Sequence, residues 1–315
     1  MKIVVLDGFT LNPGDLNWEV FGDVGELIVF DRTRPELILD RCAEADIVLT
    51  NKVAFSEELL KKLPLLKLLC VTATGYNIID IAAARALGVT VCNVPDYGTD
   101  SVAQHTFALI LELSNQVGLH CQSVLRGDWQ RSSDFSYSLS PLLELSGKTL
   151  GIIGFGSIGK RTASIARAFG MKVNYYTPRQ KDTDLAEYAS LENIFAGSDF
   201  ISLHLPLKSD NFQFVNASRL ALMKPTAFLI NTSRGQLVNE HDLAEALNNR
   251  KIAGAAVDVL SEEPPLNGSP LLQARNCVIT PHNAWMSIEA RRRIMEITYH
   301  NVAAFLNGQP VNVVS

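Results

Sequence analysis

Three side chains in the second half of the chain have the chemistry to act on a small organic acid. Arg234 lies in a polar turn, Glu263 precedes a proline, and His282 follows one. An arginine presents a planar fork of N–H donors that matches a carboxylate. A histidine can give or take a proton near neutral pH, and a nearby carboxylate can orient its ring. Together these residues predict acid–base chemistry on a bound anion.

Each of these residues also has an ordinary structural explanation. Arg234 could be a surface arginine, and a histidine that stands alone, as His282 does, is usually structural. Glu262 and Glu263 are adjacent acids before prolines, which are more often solvated loop residues than catalytic ones. The residues alone therefore do not favour a catalytic role for Glu263.

The elements that must position these side chains form a repeating pattern of strands and helices. In the second half of the chain, apolar strands are predicted at Ile152–Gly154, Val173–Tyr176, Phe200–Leu205, Phe228–Asn231, Ala255–Asp258 and Val278–Thr280. Arg234, Glu263 and His282 all follow the carboxyl ends of such strands. Doubly wound parallel sheets bind their ligands at that edge, so the pattern favours functional roles for Arg234 and His282.

The first of these strands runs into a glycine-rich turn. Gly154, Gly156 and Gly159 are followed by apolar residues spaced along one helix face. A strand, such a turn, a helix and a second strand within about thirty residues are the context of a dinucleotide-binding fingerprint. The three glycines would allow a tight turn, close approach of a pyrophosphate, and close packing of helix on strand. Backbone N–H groups around Ser157 and Ile158 would then attract the phosphates.

The residues after the second strand bear on which nicotinamide cofactor is bound. NAD enzymes usually carry an acid there, about 20 residues beyond the fingerprint. This chain has Thr177, and no acid occurs from Tyr176 to Lys181. Thr177 does not repel a 2′-phosphate and Arg179 or Lys181 could pair with one, so the sequence favours NADP slightly over NAD. The alternative is that both cations are ordinary surface charges and that NAD is bound with weak discrimination.

The first half of the chain shows the same alternation. Strands are predicted at Ile3–Leu6, Glu26–Phe30, Ile47–Thr50, Leu66–Val71 and Val89–Cys92, with helices at Pro35–Cys42, Ser56–Lys62 and Ile79–Leu87. A turn-rich linker follows, then one long helix from Ser101 to Arg126, and a last helix is predicted at Ser287–Leu306. We therefore expect an α/β protein with two doubly wound parallel-sheet domains. Residues 1–97 plus 288–315 would form one domain, and residues 98–287 the cofactor domain.

Several motifs along the chain resemble one enzyme family. They are Ala73-Thr74-Gly75-Tyr76-Asn77-Ile78-Ile79-Asp80, Asn93-Val94-Pro95 with Ser101-Val102-Ala103-Gln104-His105, the glycine fingerprint, His204-Leu205-Pro206-Leu207, Asn231-Thr232-Ser233-Arg234-Gly235, Asp258-Val259 with Glu263-Pro264, and Pro281-His282. On these motifs, nearly the whole chain resembles the D-isomer-specific 2-hydroxyacid dehydrogenases. Gly127-Asp128-Trp129 and Trp285 make it most similar to the glycerate dehydrogenase and hydroxypyruvate reductase group. The resemblance implies a Rossmann cofactor domain inserted into a flavodoxin-like substrate domain.

The resemblance also implies roles for the three candidates. Arg234 would bind the substrate carboxylate and polarise its carbonyl group. His282 would be the acid–base residue, with Glu263 rather than Glu262 as its partner. The reaction would be hydride transfer between a nicotinamide cofactor and a small 2-oxo or D-2-hydroxy acid, such as hydroxypyruvate to D-glycerate or glyoxylate to glycolate.

Further contacts are implied by the same resemblance. Backbone amides at Thr74, Gly75 and Tyr76 would hold the substrate carboxylate from the other domain. Lys52, Tyr76 and Trp285 would line the pocket, and their bulk suggests a small substrate. Additional cofactor contacts would come from His204, Pro206, Thr232 and Asp258, the last near the nicotinamide carboxamide. No metal site is predicted.

Two other functions share this fold. A formate dehydrogenase would have glutamine where this chain has Glu263, which argues against formate, whereas phosphite is less easily excluded. A nucleotide-sensing corepressor or scaffold is the non-enzymatic alternative. Such proteins usually add disordered tails, and this chain ends soon after its last predicted helix.

Composition and patterning bound the partners and the compartment. The net charge of −5 gives no general attraction to nucleic acid, and no apolar run is long enough to span a bilayer. The cysteine count of 5 is odd, with no CxxC pair, which is typical of a reducing compartment, so a cytoplasmic protein is expected. The helix from Ser101 is apolar nearly all round, so it could simply be buried core. Together with the irregular arm at Trp129–Pro141 it resembles the dimer interface of the family, which implies a homodimer.

Overall fold

The chain folds into two compact units, one inserted into the other. The computed structural model describes residues 1–315. Met1–Tyr97 and Met286–Ser315 form the first unit, and Gly98–Trp285 form the second. The chain therefore leaves the first unit once, completes the second, and returns once.

The first unit is built on a five-stranded parallel sheet. Its strands are β1 (Lys2–Val5), β2 (Glu26–Val29), β3 (Ile47–Thr50), β4 (Leu68–Val71) and β5 (Thr90–Cys92). Their order is β2-β1-β3-β4-β5, the flavodoxin-like order. All residues of β3 and β4 are buried, as expected for parallel strands covered on both faces.

Short helices cover this sheet. They are α1 (Ile38–Cys42), α2 (Glu57–Lys61) and α3 (Ile81–Ala86), with 3-10 turns at Gly8–Thr10, Glu19–Asp23 and Pro35–Leu37. Ser56 and Asp80 cap α2 and α3, because their side chains accept the N–H groups of Leu59 and Ala83.

The second unit is built on a seven-stranded parallel sheet. Its strands are β6 (Thr149–Ile153), β7 (Lys172–Tyr176), β8 (Glu187–Tyr188), β9 (Phe200–Leu203), β10 (Phe228–Asn231), β11 (Gly254–Val257) and β12 (Cys277–Ile279). Their order is β12-β11-β10-β9-β6-β7-β8, which is the Rossmann order with the reversal at β6. The sheet separates two hydrophobic cores. Leu229 faces one core, and its neighbours Phe228 and Ile230 face the other.

Helices pack on both faces of this sheet. They are α4 (Thr99–Asn115), α5 (Val117–Leu125), α6 (Ser157–Ala168), α7 (Leu191–Gly197), α8 (Ala217–Leu220) and α9 (Glu240–Asn248), with 3-10 turns at Trp129–Arg131, Gly235–Leu237 and Pro270–Gln273. Phe107 of α4 stacks on Phe169 at the end of α6, with ring centroids 5.4 Å apart. The predicted class, two parallel-sheet α/β domains, is confirmed.

The prediction of a single helix from Ser101 to Arg126 is wrong. Gln116 adopts a left-handed conformation, with φ of 46°, and ends α4 while its N–H still bonds to Glu112 O. A left-handed residue at this position redirects the chain into α5. Leu113 in α4 is buried, whereas Val117 and Leu125 of α5 are 62% and 75% exposed. Strand β8 was not predicted because two exposed residues carry no readable period.

The last helix, α10 (Ile288–Leu306), belongs to the first unit. Ser287 caps it, and the buried Arg291 forms two 2.6 Å hydrogen bonds to the carboxylate of Asp15 in the loop after β1. Beyond α10 the tail pairs with β5, since Val314 N–H donates to Val91 O. No helix in the chain is both long and apolar enough to cross a membrane.

Candidate active site

Arg234 lies in a tightly held turn after β10. The side chain of Asn231 closes this turn: its Nδ2 donates to Arg234 O at 2.8 Å, and its Oδ1 accepts the N–H of Ser233 at 3.0 Å. The next residue, Gly235, lies against the peptide between Leu260 and Ser261 so closely that a Cβ atom there would overlap it. The half-buried Arg234 is thereby fixed beside the loop that carries Glu263.

Glu263 links that loop to the histidine. Its Oε1 accepts the N–H of Leu260 at 2.9 Å, and its Oε2 lies 2.6 Å from Nδ1 of His282. Glu262 instead accepts a hydrogen bond from Asn267 on the outside of the loop. The geometry therefore pairs Glu263, and not its neighbour, with His282.

This pairing decides which nitrogen of His282 can exchange a proton. An ionised carboxylate only accepts hydrogen bonds, so Nδ1 of His282 carries a hydrogen that points at Glu263. Nε2 is then the atom that gains or loses a proton. The side chains of His282 and Glu263 are 25% and 33% exposed, so the pair is reachable by a small substrate.

The turn that carries His282 is held by Asp258, which directly follows β11. The N–H of His282 donates to Asp258 O at 2.7 Å. The carboxylate of Asp258 accepts the N–H groups of Asn283 and Ala284, both at 3.0 Å. Asp258 is 1% exposed, so these bonds form away from water. The sequence predicts Asp258 as a cofactor contact; in the structure it also supports the turn that carries His282.

The glycine turn has the shape that a dinucleotide requires. Gly154 has φ of 94°, and a Cβ atom there would overlap the carbonyl oxygen of His204. A Cβ atom on Gly159 would overlap Gly154 O, whereas one on Gly156 would project into open space. Helix α6 begins at Ser157 with no side chain capping it, so its first N–H groups are available to an anion. These residues fit a bound nicotinamide dinucleotide.

His204, Pro206 and Thr232 follow neighbouring strands. Burial lowers the pKa of His204 to about 4, and its Nε2 lies 2.9 Å from the hydroxyl of Ser202. His204 is therefore neutral at pH 7. Pro206 is exposed, while Thr232 is nearly buried and shares a 3.1 Å hydrogen bond with the hydroxyl of Thr106.

Two cations lie near the end of β7. Thr177 is buried, and its hydroxyl donates to the backbone oxygen of Arg179 at 2.7 Å, while the Arg179 side chain is exposed. Lys181 reaches back to the glycine turn, where its Nζ donates to Phe155 O at 2.8 Å. The sequence does not separate the two cations, but the structure places the ammonium group of Lys181 at the turn itself.

The remaining candidates of the first unit follow β3 and β4. Thr74 donates its hydroxyl to Val94 O at 2.9 Å, and Thr74 and Tyr76 are exposed. Lys52 is also exposed, and its backbone N–H donates to the carboxylate of Asp7 at 2.6 Å. Burial raises the pKa of Asp7. The sequence does not single out Asp7, although an acid two residues after a buried strand is a signal that could have indicated it.

Trp285 is the last residue of the second unit and is half-buried. The structure therefore brings Lys52 and residues 74–76 to one edge of the first sheet. It brings Arg234, Glu263 and His282 together in the second unit.

Known proteins are similar to this chain over its whole length. Residues 107–284 match the family model of the D-isomer specific 2-hydroxyacid dehydrogenase NAD binding domain. The sequence is 45% identical to a hydroxypyruvate reductase of Blautia hydrogenotrophica, covering 100% of both chains. It is 40% identical to a glycerate dehydrogenase of Methylorubrum extorquens, covering 99% of this chain and 98% of that one. Its structure is similar to that of an acyclic imino acid reductase in complex with NADPH and D-Arg, with a TM-score of 0.88, 31% identity and 100% of both chains covered.

Proposed function

Since the chain belongs to the D-isomer specific 2-hydroxyacid dehydrogenase family, whose members are nicotinamide-dependent oxidoreductases, we propose that it reduces hydroxypyruvate to D-glycerate and glyoxylate to glycolate. The observation that carries this proposal is the 2.6 Å contact between His282 and Glu263, beside the turn of Arg234. Two relatives named for hydroxypyruvate reduction and glycerate oxidation support this choice of substrate.

Each of the three residues has a task that follows from its geometry. Arg234 binds the substrate carboxylate with its planar fork and stabilises negative charge that develops on the carbonyl oxygen. His282 gives the proton on Nε2 to that oxygen, and Glu263 holds the hydrogen on Nδ1 in place throughout. When bound at the glycine turn, the nicotinamide cofactor supplies the hydride. We further propose that backbone amides of Thr74, Gly75 and Tyr76 contribute to carboxylate binding, with Lys52 and Trp285 lining the pocket.

The test is a substrate panel with a matched variant. Oxidation of NADPH and NADH is followed with hydroxypyruvate, glyoxylate, pyruvate, a branched 2-oxo acid and phenylpyruvate, and phosphite oxidation is measured separately. We expect the fastest turnover with hydroxypyruvate or glyoxylate, and a fall of about 10²–10⁴-fold in His282→Ala. Nucleotide binding, measured by fluorescence titration, should be retained in that variant. Turnover of phosphite alone, or of no compound with nucleotide binding intact, would refute the proposal and favour phosphite oxidation or a sensing role respectively.

We propose that NADPH is preferred over NADH. The basis is the absence of an acid from Tyr176 to Lys181 and the presence of the cations of Arg179 and Lys181 there. Hydrogen bonds to charged groups contribute about 1.5–3 kcal/mol, so Arg179→Ala or Lys181→Ala should lower the NADPH to NADH ratio of kcat/KM by about 10- to 150-fold. Lys172→Ala, which removes an exposed cation at the start of β7, is the control. If the ratio is unchanged in both variants, neither cation binds a 2′-phosphate.

We also propose a homodimer formed through the helices from Ser101 and the arm near Trp129. Leu125 and Phe135 are 75% and 90% exposed there, and this region also exposes Val117, Val124 and Trp129, an apolar content typical of an interface. Light scattering at micromolar concentration should give twice the monomer mass, and Leu125→Glu with Phe135→Glu should give the monomer. Leu266→Glu, at a site 82% exposed outside this region, is the control. A monomeric wild-type protein would refute the proposal.

A cytoplasmic location is proposed as well, without nucleic acid partners. The five cysteines are free, and the net charge of −5 gives no attraction to phosphate backbones. Microscopy of a fluorescent fusion tests the location. Retention on a heparin column would contradict the statement that the protein has no nucleic acid partners.

A further inference from the structure

The turn that carries His282 is contacted by helix α4, which carries none of the proposed substrate-binding residues. We propose that His105 and Ser101 of α4 are positioning residues that hold the turn around His282 in the conformation needed for proton transfer. This inference rests on the proposed function, because it concerns the same histidine. It assigns His105 a role that acts through Thr280 and Asp258 rather than by contact with substrate.

The turn needs support because its backbone is strained. His282 has φ of 52°, in the left-handed region that residues with a Cβ atom rarely occupy. Such a conformation persists only where the surroundings over-determine it. Here its N–H donates to the backbone oxygens of both Asp258 and Thr280, at 2.7 and 3.0 Å. The strained conformation of His282 is therefore maintained only while Asp258 and Thr280 keep their positions.

Asp258 is the centre of the supporting network. Its buried carboxylate accepts three hydrogen bonds, from the hydroxyl of Thr280 at 2.6 Å and from the N–H groups of Asn283 and Ala284 at 3.0 Å. Two of these donors directly follow His282 in the chain. Any rotation of the carboxylate would therefore move the backbone on which the histidine stands.

His105 fixes the orientation of this carboxylate through Thr280. Nε2 of His105 lies 3.0 Å from the hydroxyl oxygen of Thr280 and 3.5 Å from Oδ1 of Asp258. A threonine hydroxyl has one hydrogen, and Thr280 gives it to Asp258. The hydroxyl oxygen must therefore accept from His105, so Nε2 of His105 carries a hydrogen. This chain of donors has one direction: from His105 to Thr280 to Asp258.

Ser101 holds the other side of the same turn. It lies one helical turn before His105 on α4, and its hydroxyl donates to Ala284 O at 2.7 Å. The two side chains thus contact the turn on both sides of His282, at Thr280 and at Ala284. Since α4 is itself packed on α6 through Phe107, it provides a rigid base for both contacts.

The test compares a variant that removes the donor with one that restores it. His105→Leu cannot donate to Thr280, whereas His105→Gln can do so through its amide nitrogen. Removing the donor to the half-buried Thr280 hydroxyl weakens the network, so kcat for hydroxypyruvate should fall about tenfold in His105→Leu, with KM and nucleotide Kd within about twofold of wild type. His105→Gln should recover most of the lost kcat. His300→Leu, which removes an exposed histidine on α10, is the control.

A second measurement does not depend on activity. Amide hydrogen exchange should be about tenfold faster at His282, Asn283 and Ala284 in His105→Leu than in wild type, because these amides are the ones the network protects. Combining His105→Leu with Thr280→Val should cost little more kcat than the worse single variant, since both break one chain of donors. Additive losses, unchanged exchange at these amides, or no recovery in His105→Gln would overturn the inference. Inactive wild-type protein with faster exchange in His105→Leu would refute the proposed substrate and leave the positioning role standing.

Discussion

The negative charge on Glu263 should raise kcat/KM by stabilising the protonated form of His282. The change Glu263→Gln keeps the size of the side chain and an oxygen that can accept from Nδ1 of His282, but removes the negative charge. The charge matters most when His282 is protonated, because the carboxylate then faces an imidazolium at 2.6 Å. The variant therefore separates orientation of the ring from stabilisation of its charge.

The expected size follows from the hydrogen bonds seen in the structure. A hydrogen bond to a charged group contributes about 1.5–3 kcal/mol and a neutral one about 0.5–1.5 kcal/mol, so Glu263→Gln should lose about 1–2 kcal/mol. That loss corresponds to a fall in kcat/KM of about 5- to 30-fold. Glu263→Ala removes both bonds, including the one accepted from Leu260 N–H, and should cost about 10- to 150-fold. The side chains of Glu263 and His282 are both partly exposed to water, so the loss should not exceed these values through stronger Coulomb interactions.

The assay is steady-state reduction of hydroxypyruvate at saturating cofactor. Glu262→Gln is the control, because that neighbour bonds only to the exposed Asn267 side chain, and its kcat/KM should stay at the wild-type value. In the background of His282→Ala, adding Glu263→Gln should have little further effect, since the two residues act as a unit. Wild-type activity in Glu263→Gln, or losses that add in the double variant, would refute this reasoning. Thermal unfolding of each variant checks that the fold is kept.

Three further predictions concern other parts of the second unit. Arg234→Ala should lower kcat/KM by about 10- to 150-fold through loss of a charged hydrogen-bonding group, with nucleotide affinity unchanged in a fluorescence titration; selective loss of nucleotide binding would contradict its assignment to the substrate. Gly154→Ala should weaken nucleotide binding and lower the unfolding temperature, because the new Cβ atom overlaps His204 O at a φ of 94°; calorimetry that matches wild type would count against the tight turn. The pKa of His204, lowered to about 4 by burial, means that the unfolded chain binds a proton below pH 6.5 that the folded chain does not. The stability that the folded protein gains from a neutral His204 is therefore present above pH 6.5, and about 1–3 kcal/mol of it is lost as the pH falls toward 4. The free energy of unfolding of His204→Asn, measured in urea, should depend less on pH over that range than that of wild type. Parallel pH curves for the two proteins would show that His204 does not titrate in this way.

Much of the fold could be predicted because buried parallel strands leave a plain signal. The predicted bounds of Ile47–Thr50 and Phe228–Asn231 agree with the structure, since each is an apolar run that ends in polar residues. The break at Gln116 could not be predicted, because the apolar pattern continues from α4 into α5. What differs is burial, which depends on the elements each helix packs against.

Some residues of the candidate site could be predicted from the sequence, and others could not. Strand ends identify Arg234 and His282, because the sheet edge is a property of the pattern. Nothing local distinguishes Glu263 from Glu262; only the family resemblance favours the former, and the loop conformation then brings it to the histidine. The contact between His105 and Thr280 joins residues 175 positions apart, so no periodicity could indicate it.

The insertion of the second unit has a consequence for synthesis on the ribosome. Domains generally fold in the order in which they emerge, the N-terminal one first. Here the segment Met1–Tyr97 emerges with all five strands of its sheet but without α10, which covers β4 and anchors the loop after β1 through Arg291. The continuous unit Gly98–Trp285 can complete its core before that helix has been translated. We therefore expect the cofactor-binding unit to become resistant to protease first on stalled nascent chains, so the order of maturation would be the reverse of the order of emergence.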